Sequence, residues 1–273
     1  MTDLQAIVLG VVQGLTEFLP ISSTAHLRIV PALLSWPDPG AAFTAVVQLG
    51  TMLAVLVYFW REILQITAAW VRGITDRSVR DSAEYRIGWY VIIATVPIGV
   101  LGYTFRDSIE TGARNLWLIA STLITLGLVL LVADRVGTKE RDEEKLRLGD
   151  GVLVGLAQSA ALIPGVSRSG ATITAGLFRG LTREAAARFS FLLSIPAVVL
   201  SGLFEARKIG EAGGPSKTAT VLATMLAFVV GYASIAWLLR YLSRHSTIVF
   251  VAYRVLMGGL LLALLAAGTI SAT

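Results

Sequence analysis

Apolar residues fall into long and half-long runs separated by polar stretches. Residues 42–60, 87–105, 116–133, 188–204, 218–239 and 248–268 are each apolar over membrane-spanning length. Two further runs, 4–19 and 151–163, are short of the ~20 residues that a spanning helix needs. Each stops at a proline, Pro20 or Pro164, which lacks an amide donor and ends a helix. A second short helix follows each stop, from a Ser22 or Ser23 cap to about Leu34 in the first case and over 167–180 in the second. Helix, break and helix read as a re-entrant hairpin, because non-helical backbone at membrane depth is tolerated only inside protein or along a wet cavity.

Each half of the chain is thus one broken hairpin followed by three spans. Gly10-x-x-Gln13, Pro20 and Ser22 match Gly155-x-x-Gln158, Pro164 and Ser167, and Phe43 through Arg61 align with Phe189 through Arg207 without a gap. Two matches in the same order predict an internal repeat. An odd number of spans per half turns the second copy upside down, so that one hairpin enters from each face and both tips reach the midplane. The expected fold is an all-α polytopic membrane protein in a single membrane domain. It is an inverted repeat, each half a re-entrant helical hairpin plus three transmembrane helices: repeat 1 over about 1–134, a linker over 135–150 and repeat 2 over about 151–273.

The polar stretches set the orientation. Residues 61–86 read as a polar loop, Asp134–Asp150 as a solvated mixed-charge linker, and Pro97 as a kink within its span. One face receives 61–86, 134–150, 179–188 and 240–247, with fifteen Lys and Arg; the other receives the termini, 106–115 and 205–217, with five. That bias places the first face in the cytoplasm and both termini outside. The first hairpin then enters from outside. The acidic start, Met1-Thr2-Asp3, leads us to expect no cleavable signal peptide.

Composition agrees. Of 273 residues 55% are hydrophobic and only 15% charged, with mean hydropathy +0.73, against roughly 25% charged in soluble domains. The net charge of +5 sits mostly in loops, as an orientation signal rather than a nucleic-acid surface. The absence of cysteine excludes disulfides and thiolate metal sites.

The chemistry gathers at the two breaks. Gln13 and Glu17 are four apart and share a helix face. A carboxylate at membrane depth is costly and points to function, as a metal ligand or a proton acceptor. Ser22, Ser23 and Thr24 offer hydroxyls and helix-start amides, an arrangement that binds phosphate. His26 follows one turn later, within reach of a serine. Either a serine attacks with the histidine as base, or His26 attacks phosphorus itself, or it acts as acid to the leaving group. The second break, Pro164-Gly165-Val-Ser167-Arg168-Ser169-Gly170-Ala-Thr172, adds a guanidinium flanked by hydroxyls and glycines, suited to charge-assisted bonds to phosphate. A diphosphate carries more charge than one arginine offsets, so Glu17 fits best as a ligand to a bridging divalent cation. A lipid with a phosphorylated head group is the natural substrate.

Gln13-Gly-Leu-Thr-Glu-Phe-Leu-Pro-Ile-Ser-Ser-Thr-Ala-His26 and Pro164-Gly-Val-Ser-Arg-Ser-Gly-Ala-Thr172 closely resemble the two signature motifs of the bacterial undecaprenyl-diphosphate phosphatases associated with bacitracin resistance, and length and hydropathy agree along the chain. The resemblance implies hydrolysis of undecaprenyl diphosphate to the monophosphate at the outer face of the inner membrane. That reaction recycles the lipid carrier for peptidoglycan synthesis. The resemblance also implies a divalent cation, Mg or Ca. It makes Glu17, Ser23, His26 and Arg168 catalytic and leaves the nucleophile open between Ser23 and His26; we favour Ser23 attack with His26 as its base. Ser22, Thr24, Ser167, Ser169, Gly170 and Thr172 are expected to bind substrate phosphate, and Glu17 with Gln13 to hold the metal. Gln13 stands where many members have Glu, which leaves one charge fewer for metal. Ala25 replaces the expected glycine. The expected partner is the lipid substrate, with no nucleic acid; a homodimer is among the oligomeric states left open.

Two other readings compete. Inverted repeats with broken helices also suit a transporter or lipid flippase, although transport does not call for clustered Ser, His, Glu and Arg. The other membrane lipid-phosphatase family needs two histidines, and the second is missing after Ser167-Arg168. The remaining one, His245, falls in a loop.

Overall fold

A computed structural model describes residues 1–105, 115–205 and 216–272. The expected turns 106–115 and 205–217 lie outside these apart from their ends. The described residues form helices with no strand: α1 Asp3–Thr16, α2 Ser23–Leu33, α3 Gly40–Tyr58, α4 Trp60–Thr75, α5 Ala83–Thr104, α6 Leu116–Val136, α7 Leu148–Ser159, α8 Arg168–Phe178, α9 Arg183–Glu205, α10 Lys217–Leu242 and α11 Ile248–Ala266. Four of these, α5, α6, α10 and α11, are long and apolar enough to cross a membrane, and α3 with α4 forms one further, bent candidate. The protein is a multi-pass, all-α membrane protein.

The hairpins form as the prolines require. At about 1.5 Å per residue, the 14 residues of α1 and the 12 of α7 reach only about 21 and 18 Å, short of the ~30 Å hydrocarbon core. Both end before their proline. Ser22 and Ser167 then cap α2 and α8 in the same unusual way, at φ 76°, ψ 100° and φ 72°, ψ 119°. Each hydroxyl accepts the amide three residues on, from Ala25 at 3.4 Å and Gly170 at 3.1 Å. A non-glycine residue held at such a φ is strained, and such strain clusters at functional sites.

The matched glycines seat both hairpins alike. α1 packs on α10 and α7 on α5. A Cβ at Gly10 would stand 2.5 Å from the Ala223 carbonyl oxygen, and one at Gly155 would stand 2.4 Å from the Ala94 Cα. Only glycine permits backbone approach this close. α3 and α9, which follow the two hairpins, pack on each other, as do α6 and α11.

Two expectations are corrected. Residues 61–86 are not a loop throughout: α4 occupies Trp60–Thr75 and turns 75° from α3. Its apolar residues Ile63, Ile66 and Trp70 recur at helical spacing and face α5, while Arg61 and Arg72 lie among its exposed residues; the charges mask that period when counted alone. The 134–150 linker is docked rather than simply solvated. Arg141 reaches Asp150 at 2.5 Å, Arg179 reaches Asp150 at 2.7 Å, and Arg188 joins Glu143 at 2.7 Å to Glu62 at 2.6 Å. Asp134, at the end of α6, takes Arg183 at 2.6 Å and the amide of Thr247 at 2.9 Å. Pro97 lies inside α5, where the expected kink falls.

Candidate active site

The two breaks meet. Glu17, the C-cap of α1, is 8% exposed and forms a very short ion pair with Arg168 at the start of α8. Ser169 Oγ donates to the Leu19 carbonyl at 3.0 Å, a second bond from break to break. Sequence placed these residues 151 and 150 positions apart; the fold makes them neighbours.

Glu17 is the hub. Its Oε2 accepts from Ser23 Oγ at 2.5 Å and from Gln13 Nε2 at 2.9 Å. Its Oε1 accepts from Arg168 and from Gln48 Nε2 at 3.0 Å. These four donors stand in for the water that a buried carboxylate loses. Gln13 also donates to Thr51 at 3.4 Å, while its own Oε1 is buried without a hydrogen-bond partner.

The hydroxyls divide into two groups. Ser22 and Thr24 Oγ lie 3.3 Å apart, and Thr24 is exposed. Ser167 and Ser169 Oγ lie 3.1 Å apart. Because Ser169 spends its proton on Leu19, Ser167 is the donor within that pair. The first amides of both helices, at Ser23 and Thr24 and at Arg168 and Ser169, have no acceptor within their own helix. Thr172 differs from the rest: its hydroxyl is engaged by the Arg168 carbonyl at 2.7 Å and by Ser190 at 2.6 Å. Gly170 lies against the guanidinium of Arg254, 3.1 Å from where a Cβ would stand.

The expected Ser23–His26 pair is not the one formed. Ser23 faces Glu17. His26 Nδ1 sits 2.7 Å from the Ser22 carbonyl and Nε2 2.6 Å from the Tyr253 hydroxyl. A carbonyl only accepts, so Nδ1 carries the proton and neutral His26 accepts from Tyr253 through Nε2. His245 contributes nothing here: its Nδ1 bonds to the Tyr241 carbonyl at 3.1 Å and its ring stacks on Tyr241.

Sequence reasoning passed over four contributors: Gln48, Thr51, Tyr253 and Arg254. Gln48 and Thr51 are polar residues within an apolar span. Arg254 is a charge in the middle of another, a signal that does mark function. Tyr253 carries no such signal of its own.

A buried centre with a carboxylate, a guanidinium and two converging helix starts marks out this all-α membrane protein. Residues 6–260 match the family model described as bacitracin resistance protein BacA, and the chain belongs to that family. It is 56% identical over 288 residues to undecaprenyl-diphosphatase 2 of Frankia casuarinae, an alignment covering 99% of this chain and 97% of the relative. Similar relatives are the undecaprenyl-diphosphatases of Nocardia farcinica, 51% identical over 309 residues (100% and 99% covered), and Micrococcus luteus, 54% over 277 (100% of both). All three carry a phosphatase name, which lends no support to the transporter alternative.

Proposed function

We propose that this protein hydrolyses undecaprenyl diphosphate to undecaprenyl phosphate and inorganic phosphate. The relatives' name gives the reaction, and the Glu17–Arg168 junction with Ser23 at 2.5 Å from Glu17 carries the reading for this chain. Arg168 has one side-chain bond among the described residues, to Glu17, so its other N–H groups are open to phosphate oxygens. With the orphan amides of α2 and α8 it would hold the terminal phosphoryl group as charge builds on it.

Ser23 Oγ attacks the terminal phosphorus and its proton passes to Glu17. The bond from that phosphorus to the bridging oxygen breaks, and undecaprenyl phosphate departs. Water then attacks the phosphoserine, the P–Oγ bond breaks, and Ser23 Oγ takes back the proton held by Glu17 as inorganic phosphate leaves. On this geometry Glu17, not His26, receives the proton in the first step. His26 Nε2 already accepts from Tyr253, so the proton of the attacking water reaches it through that hydroxyl: water gives a proton to the Tyr253 oxygen as Tyr253 passes its own to Nε2.

A divalent cation fits the donor set. The unpartnered Gln13 Oε1 beside the Glu17 carboxylate offers hard oxygens, and Mg²⁺ commonly takes one or two carboxylates and completes its shell with water and substrate phosphate. No cluster of three His, Asp or Glu occurs among the described residues, so substrate oxygens would be needed. Glu17 and Gln13 would hold the cation, which when bound would neutralise phosphate charge.

The same reading places the protein in the bacterial inner membrane, as two inverted halves with both termini and the site outside. There it recycles the carrier lipid for cell-wall synthesis, the activity that underlies bacitracin resistance. The matched Ser22/Ser167 caps and Gly10/Gly155 contacts support the repeat. Phosphate release by purified protein from undecaprenyl diphosphate, with and without chelator, tests the proposal. Release that stops with chelator and returns with Mg²⁺ or Ca²⁺ is expected; no release under any condition would reject it.

A further inference from the structure

Arg254 lies in the middle of α11 and is 1% exposed. All its side-chain bonds run to backbone carbonyls. Nε donates to Leu123 at 3.0 Å; Nη1 donates to Pro20 at 3.0 Å and Val166 at 3.1 Å. Nη2 donates to Thr122 at 3.2 Å, Gly165 at 3.1 Å and Val166 at 3.2 Å. The carbonyls of Pro20, Gly165 and Val166 are those set free where the two helices break, and Leu123 and Thr122 belong to α6. One planar fork therefore satisfies both breaks and ties them to a third element.

Such carbonyls cannot be left bare in an apolar interior. Only a guanidinium presents donors in the several fixed directions used here; an ammonium is a point charge on a flexible stem. α8 accommodates the fork by carrying Gly170, where a Cβ would approach Nη1 to 3.1 Å.

We infer that Arg254 is a positioning residue: it fixes the separation of the two breaks, and thereby sets Glu17 and Ser23 on the first against Arg168 on the second. The inference rests on the phosphatase reading for its kinetic consequence but not for its structural one. Displacing one break by about 1 Å is the scale of change that costs about a hundredfold in rate.

The test uses Arg254→Gln and Arg254→Lys in the full-length protein, assayed for kcat and KM on undecaprenyl diphosphate. In parallel, spin labels at Leu15→Cys and Ile163→Cys, both exposed and one ahead of each break, report the distance between hairpins by pulsed EPR. In both variants we expect kcat to fall about a hundredfold with KM within about threefold, and the distance distribution to shift or broaden. Parental kcat in Arg254→Lys would overturn the inference, since charge alone would then suffice. So would a lost kcat with an unchanged distance distribution, which would mean direct action on substrate. Should Arg254→Gln fail to accumulate, Arg254→Lys decides by the same two readouts. A parent protein that releases no phosphate would reject the phosphatase reading and leave the distance result to stand alone.

Discussion

Ser22 and Ser167 show how much local cost the site carries. Each holds a Cβ at a φ above 70° and supplies the only side-chain cap of its helix. Alanine would lose the cap and keep the strain, at about 1 kcal/mol for the cap alone; glycine at an N-cap costs only a few tenths and is free at this φ. Thermal unfolding should therefore rank Ser167→Gly above Ser167→Ala, and equal midpoints would argue against the cap geometry. Arg168→Lys makes a sharper demand. A lysine keeps the charge beside Glu17 but not the fork, so phosphate release should drop at least about tenfold, on the view that a planar donor set, not charge, grips the phosphate. Undiminished turnover would remove Arg168 from that role. Glu17, Ser23, His26 and Arg168 were legible because costly or reactive groups at membrane depth stand out in an apolar chain. Their partners were less so: that Ser23 turns to Glu17, and His26 to Tyr253 some 227 positions away, depends on how α11 packs, which no local spacing encodes.

Helices show where reading by hydropathy works and where it fails. The hairpins were legible because proline and length act locally, and the structure ends α1 and α7 close to the expected points. α4 was misread because charges in an amphipathic helix resemble a loop when its period is ignored. The linker was misread because pairing of Arg141, Asp150 and Arg188 is set by tertiary contacts. Close backbone approach gives an element-scale test. Gly155→Leu must push α7 off Ala94, and overpacking of this kind costs about 1–3 kcal/mol or more. Gly99→Ala in α5 meets nothing within 4 Å and should be neutral to stabilising, by up to about 1 kcal/mol. Thermal midpoints of the two variants check the contrast; a well-tolerated Gly155→Leu would mean that α7 and α5 do not pack so closely.

For the whole molecule, the decisive property is that two distant breaks form one centre. The sequence pattern suggested that the scaffold could bring them together, and the Glu17–Arg168 pair, the Ser169–Leu19 bond and Arg254 all join them. Orientation follows from loop charge alone and has its own check. The native chain has no cysteine, so Glu140→Cys can be labelled cleanly. An impermeant maleimide should reach it only after the cells are opened; labelling of intact cells would reverse the topology. The central claim, that a carboxylate from one break and a guanidinium from the other serve one phosphatase site, is tested most directly by inorganic phosphate release from undecaprenyl diphosphate by the purified parent and by Glu17→Gln. Glutamine keeps the shape of the side chain but loses the charge that receives the Ser23 proton and pairs with Arg168. The account predicts rapid release by the parent and a loss of at least about a hundredfold in the variant, in the range seen when a group acting on the proton in flight is removed. Equal turnover in the two proteins would contradict it.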